Sequence, residues 1–514
     1  MKSILVRNAA TLAALTVLAG CGSLSALGLR GTGVRETSLK AKTVDPPQWA
    51  KEAIFYQIFP DRFANGDPRN DPKGTEPWGS KPTFDNFMGG DLKGIRANLD
   101  YLQDLGITAL YLNPIFKASS NHKYNTGDYL QIDPALGTLE DFRALVRDLK
   151  RRKMRIILDG VFNHTGDDFF AFKEASASGK VSPYWTWYNI YSYPVVYKPK
   201  PNYDSWWGFG SLPKLNFNDE AVPDYILNKV TDFWMREGID GWRLDVPNEV
   251  TKDGFWGAFR QKVRSMNHEA YIVGEIWDDP TPWIQGDKFD ATMNYPLRSE
   301  ILEFVAWRKR NVDQIDANLS SQRRSQGQAT NGMFNILGSH DVERVRTLVG
   351  SGAKQRVAAL IQFTYPGAPV VYYGDEVGLE GGKDPDDRRC FDWTGASWDR
   401  ETLTFYKKLS AIRKGHPATR DGWMQTLMRH NDKSLWAYYR DWLGQDRTVV
   451  VINNGTAVQD VTVPVGDTKI ADGTTLTDLL SGRKYTVSGR QVVVSGLAPG
   501  GAILSANPAI KTQR

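Results

Sequence analysis

The sequence has no long run of charge of one sign. Its 64 lysine and arginine residues are interspersed with 59 aspartate and glutamate residues, which leaves a net charge of +5. The longest basic cluster, Arg151-Arg152-Lys153, is followed at once by the apolar stretch MRIIL. That pattern indicates a solvated helix end rather than a nucleic-acid-binding patch. We therefore expect no nucleic-acid partner.

Long apolar runs are also missing. The run AATLAALTVLAG near the N-terminus is too short to span a bilayer as a stable helix, and it follows the charged residues Lys2 and Arg7. It ends in Leu18-Ala19-Gly20-Cys21, which resembles a bacterial lipobox. Residues 1–20 are thus interpreted as a lipoprotein signal peptide and residues 21–46 as a tether. The alternative is an ordinary secretory peptide with an accidental cysteine.

Cysteine is scarce, with Cys390 the only one besides Cys21. Once Cys21 carries lipid, no intrachain disulfide is available. The resemblance to a lipobox implies an exported protein whose acyl chains anchor it to a membrane surface of the bacterial cell envelope.

Glycine-rich phosphate turns are absent after the first β-like run, which weakens an open doubly wound sheet as the topology. What the chain does contain is eight β-like runs, most of them followed by an amphipathic helical pattern. Such alternation predicts parallel βαβ units, and eight of them favour a closed (β/α)8 TIM barrel. The runs are AIFYQIF (53–59), ITALYLNPIF (107–116), MRIILDGVF (154–162), GIDGWRLDV (238–246), AYIVGEIW (270–277), DATMNYPL (290–297), GMFNILGS (332–339) and APVVYYGDEVG (368–378).

Two further segments complete the predicted α/β architecture. A Trp- and Tyr-rich stretch after the third strand indicates a small inserted subdomain, at about residues 165–220, near the barrel mouth. Its rings Trp185, Trp187, Trp206 and Trp207 offer faces for sugar stacking, although some must pack the subdomain itself. The barrel is expected over residues 47–424. Residues 425–514 are rich in alternating β-like runs and predict a C-terminal antiparallel β-sandwich domain.

Polar residues gather where the predicted barrel strands end, which is where functional residues lie in such barrels. Four carboxylates, with histidines beside them, converge on this rim. Any one charge at a strand end is weak evidence, but the whole set is strong. The residues are Asp159, Asn163 and His164 after the third strand, Arg243 and Asp245 on the fourth, Glu275 after the fifth, and His340 and Asp341 after the seventh.

The neighbours of Asp245 and Glu275 predict opposite protonation states. Arg243 and Asp245 are two residues apart on a strand, so they share a face, and the cation should keep Asp245 ionised. Glu275 is flanked by Ile276 and Trp277, whose apolar walls should raise its pKa. An anionic nucleophile beside a protonated acid is the requirement for retaining glycoside cleavage. The alternative is a buried ion pair without catalysis.

DGVFNH, GWRLDVPNE, GEIW and SHD, in this order, resemble the conserved regions of the α-amylase family of glycoside hydrolases. The resemblance implies a retaining enzyme that cleaves α-glucosidic bonds. It assigns Asp245 as nucleophile, Glu275 as general acid/base and Asp341 as the third carboxylate. Arg243, His164 and His340 resemble substrate-binding residues around the same sugar. Asp159 looks structural.

LPKLN (212–216) and NHKYNTGDY (121–129) are similar to stretches of the neopullulanase, cyclomaltodextrinase and maltogenic amylase branch. This similarity implies that Tyr124 stacks on the sugar at the cleavage point and that His122 forms a hydrogen bond with its hydroxyl. Alternatively, Tyr124 only packs the core. Members of that branch carry an N-terminal β domain, whereas the predicted barrel here begins about thirty residues after Cys21. A monomeric lipoprotein with a more open cleft is the expectation.

A calcium site is predicted near the start of the barrel. Oxygen ligands closely spaced in a Gly- and Pro-containing loop suit Ca²⁺, and this loop resembles one in the same branch. Its role would be structural. Asx-rich turns without metal are the alternative. The predicted ligands are Asn65, Asp67, Asn70, Asp71, Gly89 and Asp91.

The resemblance implies hydrolysis of α-1,4-glucosidic bonds in starch, maltooligosaccharides or cyclodextrins through a covalent glucosyl-enzyme intermediate. A 4-α-glucanotransferase would use the same intermediate with a sugar acceptor in place of water. A noncatalytic glucan-binding lipoprotein is the alternative from another class, but it has no need of the three carboxylates.

Overall fold

The computed structural model of the protein describes residues 43–507. The predicted signal peptide, Cys21 and most of the predicted tether lie outside the described residues, as do residues 508–514. Within the described range, none of the helices has the length and apolar character needed to cross a membrane.

Eight parallel strands form one sheet, and the predicted barrel is confirmed. Strand order in the sheet is β6-β5-β4-β3-β2-β1-β8-β7. Met293, just after β6, pairs in parallel with Phe334 of β7, and the backbone N–H of Asn294 donates to the Phe334 carbonyl at 2.8 Å, which closes the circle. The strands are β1 (Phe55–Ile58), β2 (Ala109–Leu112), β3 (Arg155–Gly160), β4 (Gly241–Leu244), β5 (Tyr271–Gly274), β6 (Ala291–Thr292), β7 (Phe334–Ile336) and β8 (Ala368–Tyr372).

Successive side chains of each strand alternate between the barrel interior and the surrounding helices. Phe55, Tyr111 and Ile157 join the interior cluster, whereas their sequence neighbours join the outer one. On β4, Trp242 and Leu244 pack outward, so Arg243 points inward. Both faces are buried, which explains why the strands are continuous apolar runs in the sequence.

Helices cover the outside of the barrel. The helix Leu139–Arg151 shows how the sequence specifies them: Thr138 and Asp141 form a capping box, and Phe142, Leu145 and Leu149 form the buried face. The other helices around the barrel are Gln48–Glu52, Pro60–Phe63, Leu92–Ala97, Leu99–Leu105, Ala221–Asp224, continuing through the π-helical Tyr225–Thr231 into Asp232–Arg236, then Phe255–Met266, Tyr295–Val305, Val312–Gln326, Val345–Val349, Gly352–Thr364, Arg400–Gly415 and Pro417–Asp421.

Two excursions rise from the carboxyl end of the barrel. A hairpin formed by Phe116–Ala118 and Thr126–Ile132 follows β2. The predicted insertion follows β3; it contains the helix Phe170–Ser178 and a largely irregular segment held by isolated antiparallel bridges. Among these, His164 pairs with Lys214, and Ser205 with Pro213. These bridges hold the tip of the insertion against the barrel mouth.

The C-terminal part is the predicted antiparallel β-sandwich. A six-stranded sheet in the order β9-β10-β11-β16-β13-β14 faces a two-stranded sheet of β12 and β15, and a valine- and leucine-rich core lies between them. Its first strand begins two residues before the predicted boundary at 425. The strands are β9 (Trp423–His430), β10 (Leu435–Trp442), β11 (Asp446–Asn453), β12 (Gln459–Pro464), β13 (Thr475–Asp478), β14 (Lys484–Thr486), β15 (Gln491–Leu497) and β16 (Gly500–Ser505).

A buried arginine ties this sandwich to the barrel. Arg440 of β10 donates to the carbonyl of Thr364, at the end of a barrel helix, at 2.5 Å, and to the carbonyl of Gly422 at 2.9 Å. The hydroxyls of Thr364 and Tyr438 lie 2.5 Å apart in the same interface. Since Arg440, Thr364 and Gly422 are all buried, these carbonyls depend on the arginine for their hydrogen bonds.

Replacing Arg440 with methionine is expected to lower the free energy of unfolding by about 2–4 kcal/mol, because the two carbonyls stay buried but lose their donor. Urea denaturation followed by tryptophan fluorescence measures this change. Arg483→Met, at an exposed position of the same sandwich, is the matched control and should change stability by less than about 0.5 kcal/mol. Equal stability of the two variants would contradict the role given to Arg440.

Candidate active site

The predicted site residues from different strands meet at the carboxyl end of the barrel. Asp159 lies within β3, Arg243 within β4, and Asp245 directly after it. Glu275 follows β5 by one residue, and His340 and Asp341 lie on the loop after β7. Parallel strands end on the same side of a barrel, so chain positions up to 182 residues apart come together at one rim.

The guanidinium of Arg243 is the centre of this rim and is fully buried. Its Nη1 lies 2.7 Å from Asp159 Oδ1 and 2.9 Å from Asp245 Oδ1. Its Nη2 lies 2.9 Å from Glu275 Oε2. The carboxyl groups of Asp245 and Glu275 therefore contact the same cation and face the same cavity.

The sharing of Arg243 changes the expected protonation of Asp245. Burial raises the pKa of Asp245 well above its ordinary value, the Arg243 guanidinium opposes that rise, and the charge of Glu275 adds to it. Arg243 favours the ionised form of Asp245, as expected, but burial outweighs this effect, so the net shift is opposite to the expected one. One cation divided among three carboxylates cannot offset both their desolvation and their mutual repulsion.

The surroundings of Glu275 also differ from the prediction. Ile276 is buried, but Trp277 is 47% exposed and does not form an apolar wall. Its indole N–H donates to Glu275 Oε1 at 3.1 Å, and the backbone N–H of Val246 donates to Oε2 at 3.0 Å. These donors hold the carboxyl group in one orientation beside Asp245.

Asp341 lies on the same rim, after β7, and 29% of its side chain is exposed. Its Oδ2 is 3.3 Å from His340 Nε2, and its Oδ1 is 3.8 Å from Arg388. Desolvation and the nearby charge of Glu275 raise the pKa of Asp341 to about 7, although Arg388 opposes the rise. This carboxyl group therefore changes charge near neutral pH.

Tyr124, His122 and His340 form a stacked group next to Asp159. The rings of Tyr124 and His340 are parallel within 2° with centroids 5.2 Å apart, and His122 lies on the other side of Tyr124 at 5.9 Å. Tyr124 donates its hydroxyl proton to Asp159 at 2.8 Å and lies 2.6 Å from His340 Nε2. The hydroxyl of Tyr124 therefore has a structural role, which agrees in part with the packing alternative, and the side chain is half-buried.

The histidines of the site are neutral. Burial lowers the pKa of His122 and of His164 to about 3, and lowers that of His340 well below its ordinary value. The side-chain amides of Gln57 and Asn113 lie 3.0 and 3.1 Å from His340 Nδ1. Because amide N–H groups donate, Nδ1 accepts, which leaves the proton on Nε2, directed at the Tyr124 hydroxyl oxygen.

His164 occupies a separate part of the rim, beneath the insertion. Its ring stacks on Trp206 with centroids 5.5 Å apart, and Asn163 lies 3.2 Å from its Nδ1. The Nε2 atom of His164 is buried and has no hydrogen-bond partner in the part of the chain described.

Four residues at the site were missed from the sequence: Gln57, Asn113, Trp277 and Arg388. Gln57 and Asn113 end β1 and β2, so the rule that found the carboxylates would have found them too. Arg388 donates to the carbonyl of His340 at 2.8 Å from a loop 48 residues further along. No local pattern signals that contact, or the turn that brings Trp277 back to Glu275.

The loop predicted to bind calcium is folded around Asp91. The carboxylate of Asp91 accepts from the backbone N–H groups of Gly66, Asp67 and Gly94 and from the Asn70 amide, so its oxygens are largely occupied. The Asp67 carboxylate is taken by Arg69 at 2.7 Å and Lys93 at 2.6 Å. The side chains of Asp67 and Asp91 therefore organise the loop rather than present free ligands.

Other oxygens of this loop do fit a calcium ion. Asn65 Oδ1 and Asn70 Oδ1 are buried without a hydrogen-bond partner among residues 43–507. Gly89 has a φ of +80°, and a Cβ there would lie 2.5 Å from both the Asn65 amide and Asp71 Oδ1. No group of three or more His, Cys, Asp or Glu side chains in that range could hold a metal. A calcium site here would depend on amide and backbone oxygens together with Asp71.

Comparison with known proteins agrees with this geometry. The family profile described as "Alpha amylase, catalytic domain" matches residues 57–399. A cyclomaltodextrinase of Thermoanaerobacter pseudethanolicus is 43% identical over 81% of this chain and 72% of its own length. Neopullulanase 2 of Thermoactinomyces vulgaris is 44% identical over 88% of this chain and 77% of its own length.

A solved structure shows the same similarity in three dimensions. The ligand-free cyclic α-maltosyl-(1→6)-maltose hydrolase from Arthrobacter globiformis superposes with a TM-score of 0.82 at 39% identity, covering 89% of this chain and all of that one. The protein is thus a glycoside hydrolase of the α-amylase family, in the branch that contains the cyclomaltodextrinases and neopullulanases.

Proposed function

We propose that this protein is a retaining hydrolase of α-1,4-glucosidic bonds in starch, maltooligosaccharides or cyclodextrins. The observation that carries the proposal is the contact of Asp245 and Glu275 with one buried guanidinium. The charge of Asp341 also acts on Asp245. Retaining glycosidases need two carboxyl groups close enough to reach one sugar carbon from its two sides. A shared cation keeps the two groups that close.

The chemistry follows from these positions. In the first step, Glu275 gives its proton to the glycosidic oxygen as the bond to the anomeric carbon breaks, and an oxygen of Asp245 bonds to that carbon. In the second step, a water molecule gives a proton to the Glu275 carboxylate. The water oxygen bonds to the anomeric carbon as the bond from that carbon to Asp245 breaks, which releases the Asp245 carboxylate. Two inversions at the same carbon give net retention.

Three carboxyl groups share the charge of Arg243. Asp159, Asp245 and Glu275 all contact Arg243, so full ionisation would place three negative charges around one positive charge in a buried site. Burial raises the pKa of Asp159, and burial together with the charges of Glu275 and Asp159 raises the pKa of Asp245, although Arg243 opposes both shifts.

Asp341 and the neutral histidines would stabilise the sugar as positive charge develops on it. An ionised Asp341 grips sugar hydroxyls and stabilises an oxocarbenium-like transition state. His122, His164 and His340 are neutral and present N–H groups, so they donate to hydroxyls without repelling that charge.

The substrate class rests on the relatives, which are a cyclomaltodextrinase and a neopullulanase. Transfer to a second glucan, as in a 4-α-glucanotransferase, would use the same intermediate, and only the identity of the acceptor differs. Products longer than the starting maltooligosaccharide would identify transfer.

We also propose a structural Ca²⁺ in the loop after β1. Asn65, Asn70, Asp71 and the backbone of Gly89 would hold it, with Asp67 and Asp91 shaping the loop around it. The ion would stiffen this loop, and the carboxylates of the rim perform the chemistry.

The lipobox-like stretch before Cys21 supports a further proposal, that the protein is exported and anchored to the bacterial cell envelope by lipid. A monomer is proposed as the working state.

Replacing Glu275 with glutamine is expected to lower kcat on maltotriose by about 10²–10⁴-fold, because the leaving oxygen no longer receives a proton. An α-glucosyl fluoride, whose leaving group needs no protonation, should keep much more of its activity. Glu140→Gln, at an exposed position on a barrel helix, is the control.

The same assay followed by proton NMR reports the anomer released first, which should be α. Equal losses of kcat on both substrates would show that Glu275 is not the general acid. A first product of β configuration would show that the enzyme is not retaining.

The raised pKa values of Asp245 and Asp341 predict where activity is lost in acid. Both act as anions, and a raised pKa means that each loses its charge at a higher pH than an ordinary carboxyl group. The charge that both groups need is therefore fully present above the raised pKa, and activity falls as the pH decreases through it. Since the pKa of Asp341 is about 7, the acid limb of kcat/KM should lie closer to pH 7 than to about pH 4.

The variant Arg388→Gln tests whether the charge of Asp341 sets the acid limb of the pH dependence of kcat/KM. Arg388 lowers the pKa of Asp341, so its removal should move the limb to higher pH. A wild-type limb at about pH 4, or no movement in the variant, would show that Asp341 does not set the profile.

Chelation tests the calcium proposal. With Ca²⁺ at 100 times its dissociation constant, binding should stabilise the folded protein by about 2.7 kcal/mol, so EGTA should lower the melting temperature. Asn65→Ala should lose this calcium-dependent part, whereas the exposed Asn218→Ala should keep it. Differential scanning calorimetry measures the shift and elemental analysis the bound calcium. A melting temperature unaffected by either reagent would eliminate the ion.

A further inference from the structure

The tip of the insertion carries an exposed aromatic stack that the catalytic chemistry leaves without a role. Trp207 is 77% exposed and Phe209 is 54% exposed. The ring of Trp206 is nearly parallel to that of Trp207, at 14° and 4.9 Å between centroids, and is tilted by 29° from that of Phe209, 6.3 Å away. Large apolar faces so open to water usually mark a binding surface.

This stack is continuous with the candidate active site. Trp206 stacks on His164, tilted by 26°, at the same time as it stacks on Trp207. The rings therefore run from His164 at the rim, through Trp206, to Trp207 and Phe209 in solvent. A ligand chain that leaves the cleft beside His164 would meet these faces next.

The loop that carries the rings is rigid enough to hold them in place. The backbone N–H of Trp206 donates to the Leu212 carbonyl at 2.9 Å, and that of Leu212 donates to the Phe209 carbonyl at 2.9 Å. The Tyr203 hydroxyl donates to the Gly210 carbonyl at 2.5 Å. A fixed aromatic surface loses little conformational entropy when it binds a ligand.

The backbone of Trp207 is strained. Its φ of +49° and ψ of +23° lie in the left-handed region, which bulky residues rarely adopt. Such strain persists where the surrounding structure enforces it, and it is concentrated at functional sites. Here it turns the ring outward instead of into the subdomain.

Other tryptophans of the insertion behave differently. Trp187 is buried and packs edge-on against Phe170 and Tyr184. The subdomain therefore has its own aromatic core, and the exposed rings of Trp207 and Phe209 are not needed to complete it.

We propose that Trp207 and Phe209 form an outer stacking site for an α-glucan chain, remote from the bond that is cleaved. This inference rests on the proposed function, since it names a second place where the same substrate is held. Glucose rings present apolar C–H faces that pack on aromatic rings, while their hydroxyl groups remain in water. The site should favour long chains over short ones, because a short chain held at the carboxylates does not reach the tip.

The test compares maltoheptaose with maltotriose. In Trp207→Ala, the ratio of kcat/KM for the longer to the shorter substrate should fall about three- to tenfold, the loss expected for one aromatic stacking contact. Trp207→Phe keeps a ring and should retain most of the preference. Trp307→Ala, which removes a tryptophan that is 44% exposed and contacts Lys309 elsewhere on the barrel, is the control and should leave the ratio unchanged.

Direct binding separates this inference from the proposed function. Isothermal titration of maltoheptaose into the Glu275→Gln protein, with and without Trp207→Ala, should give a three- to tenfold weaker affinity in the double variant. This result would support the outer site even if the wild-type protein released no sugar. Equal affinities, or an equal substrate ratio in Trp207→Ala and the wild type, would overturn it.

Trp207→Gly distinguishes a binding role from a structural one. Glycine adopts a positive φ without strain, so this variant should be at least as thermostable as Trp207→Ala while losing the same preference for maltoheptaose. A ring needed for packing would instead make both variants markedly less stable than the wild type, and that outcome would contradict the proposal.

Discussion

The structure of the active site depends on one buried cation. Arg243 has no exposed surface and is shared by Asp159, Asp245 and Glu275. Burying these charges is costly, and only their mutual contacts offset the cost. Removing the arginine would leave three carboxylates facing one another in a desolvated cavity. The same contacts set the orientation of both proposed catalytic groups, so the electrostatics and the geometry of this site have a single origin.

Groups around Arg243 hold this arrangement rigid. Asp159 is fixed by the hydroxyls of Tyr111 at 2.7 Å and Tyr124 at 2.8 Å, and so it holds the guanidinium in turn. Across the cleft, His340 is positioned by amides from β1 and β2 and by Arg388 on its carbonyl. Residues on or just after β1, β2, β3, β4, β5 and β7 thus supply parts of one network of polar contacts. Preorganised donors of this kind stabilise transition-state charge effectively.

The sequence was sufficient for the strands and for the residues at their ends. Strands buried on both faces are short apolar runs, which is why all eight were found, and Arg243 and Asp245 stood out because charges interrupt such a run. What the sequence could not give were contacts made between strands or from distant loops. Glu275 was expected between apolar walls, but Trp277 turns its N–H toward it, and Arg243 divides its charge three ways. Asp67 resembles a calcium ligand in the sequence, but in the structure its carboxylate forms ion pairs with Arg69 and Lys93.

Backbone strain occurs at two places that matter for this chemistry. Val246, directly after Asp245, has a φ of +33°, a conformation that a β-branched residue rarely adopts, and its N–H donates to Glu275. Through this strained turn, the backbone next to Asp245 donates a hydrogen bond to the Glu275 carboxyl group. Trp207 is strained in a similar way at the far end of the aromatic stack. At both places, a residue that conflicts with its local backbone geometry is kept where the site gains a fixed donor or a fixed ring. Local conformational preference therefore yields at the cleft, while it agrees with the fold in the strands and helices that support it.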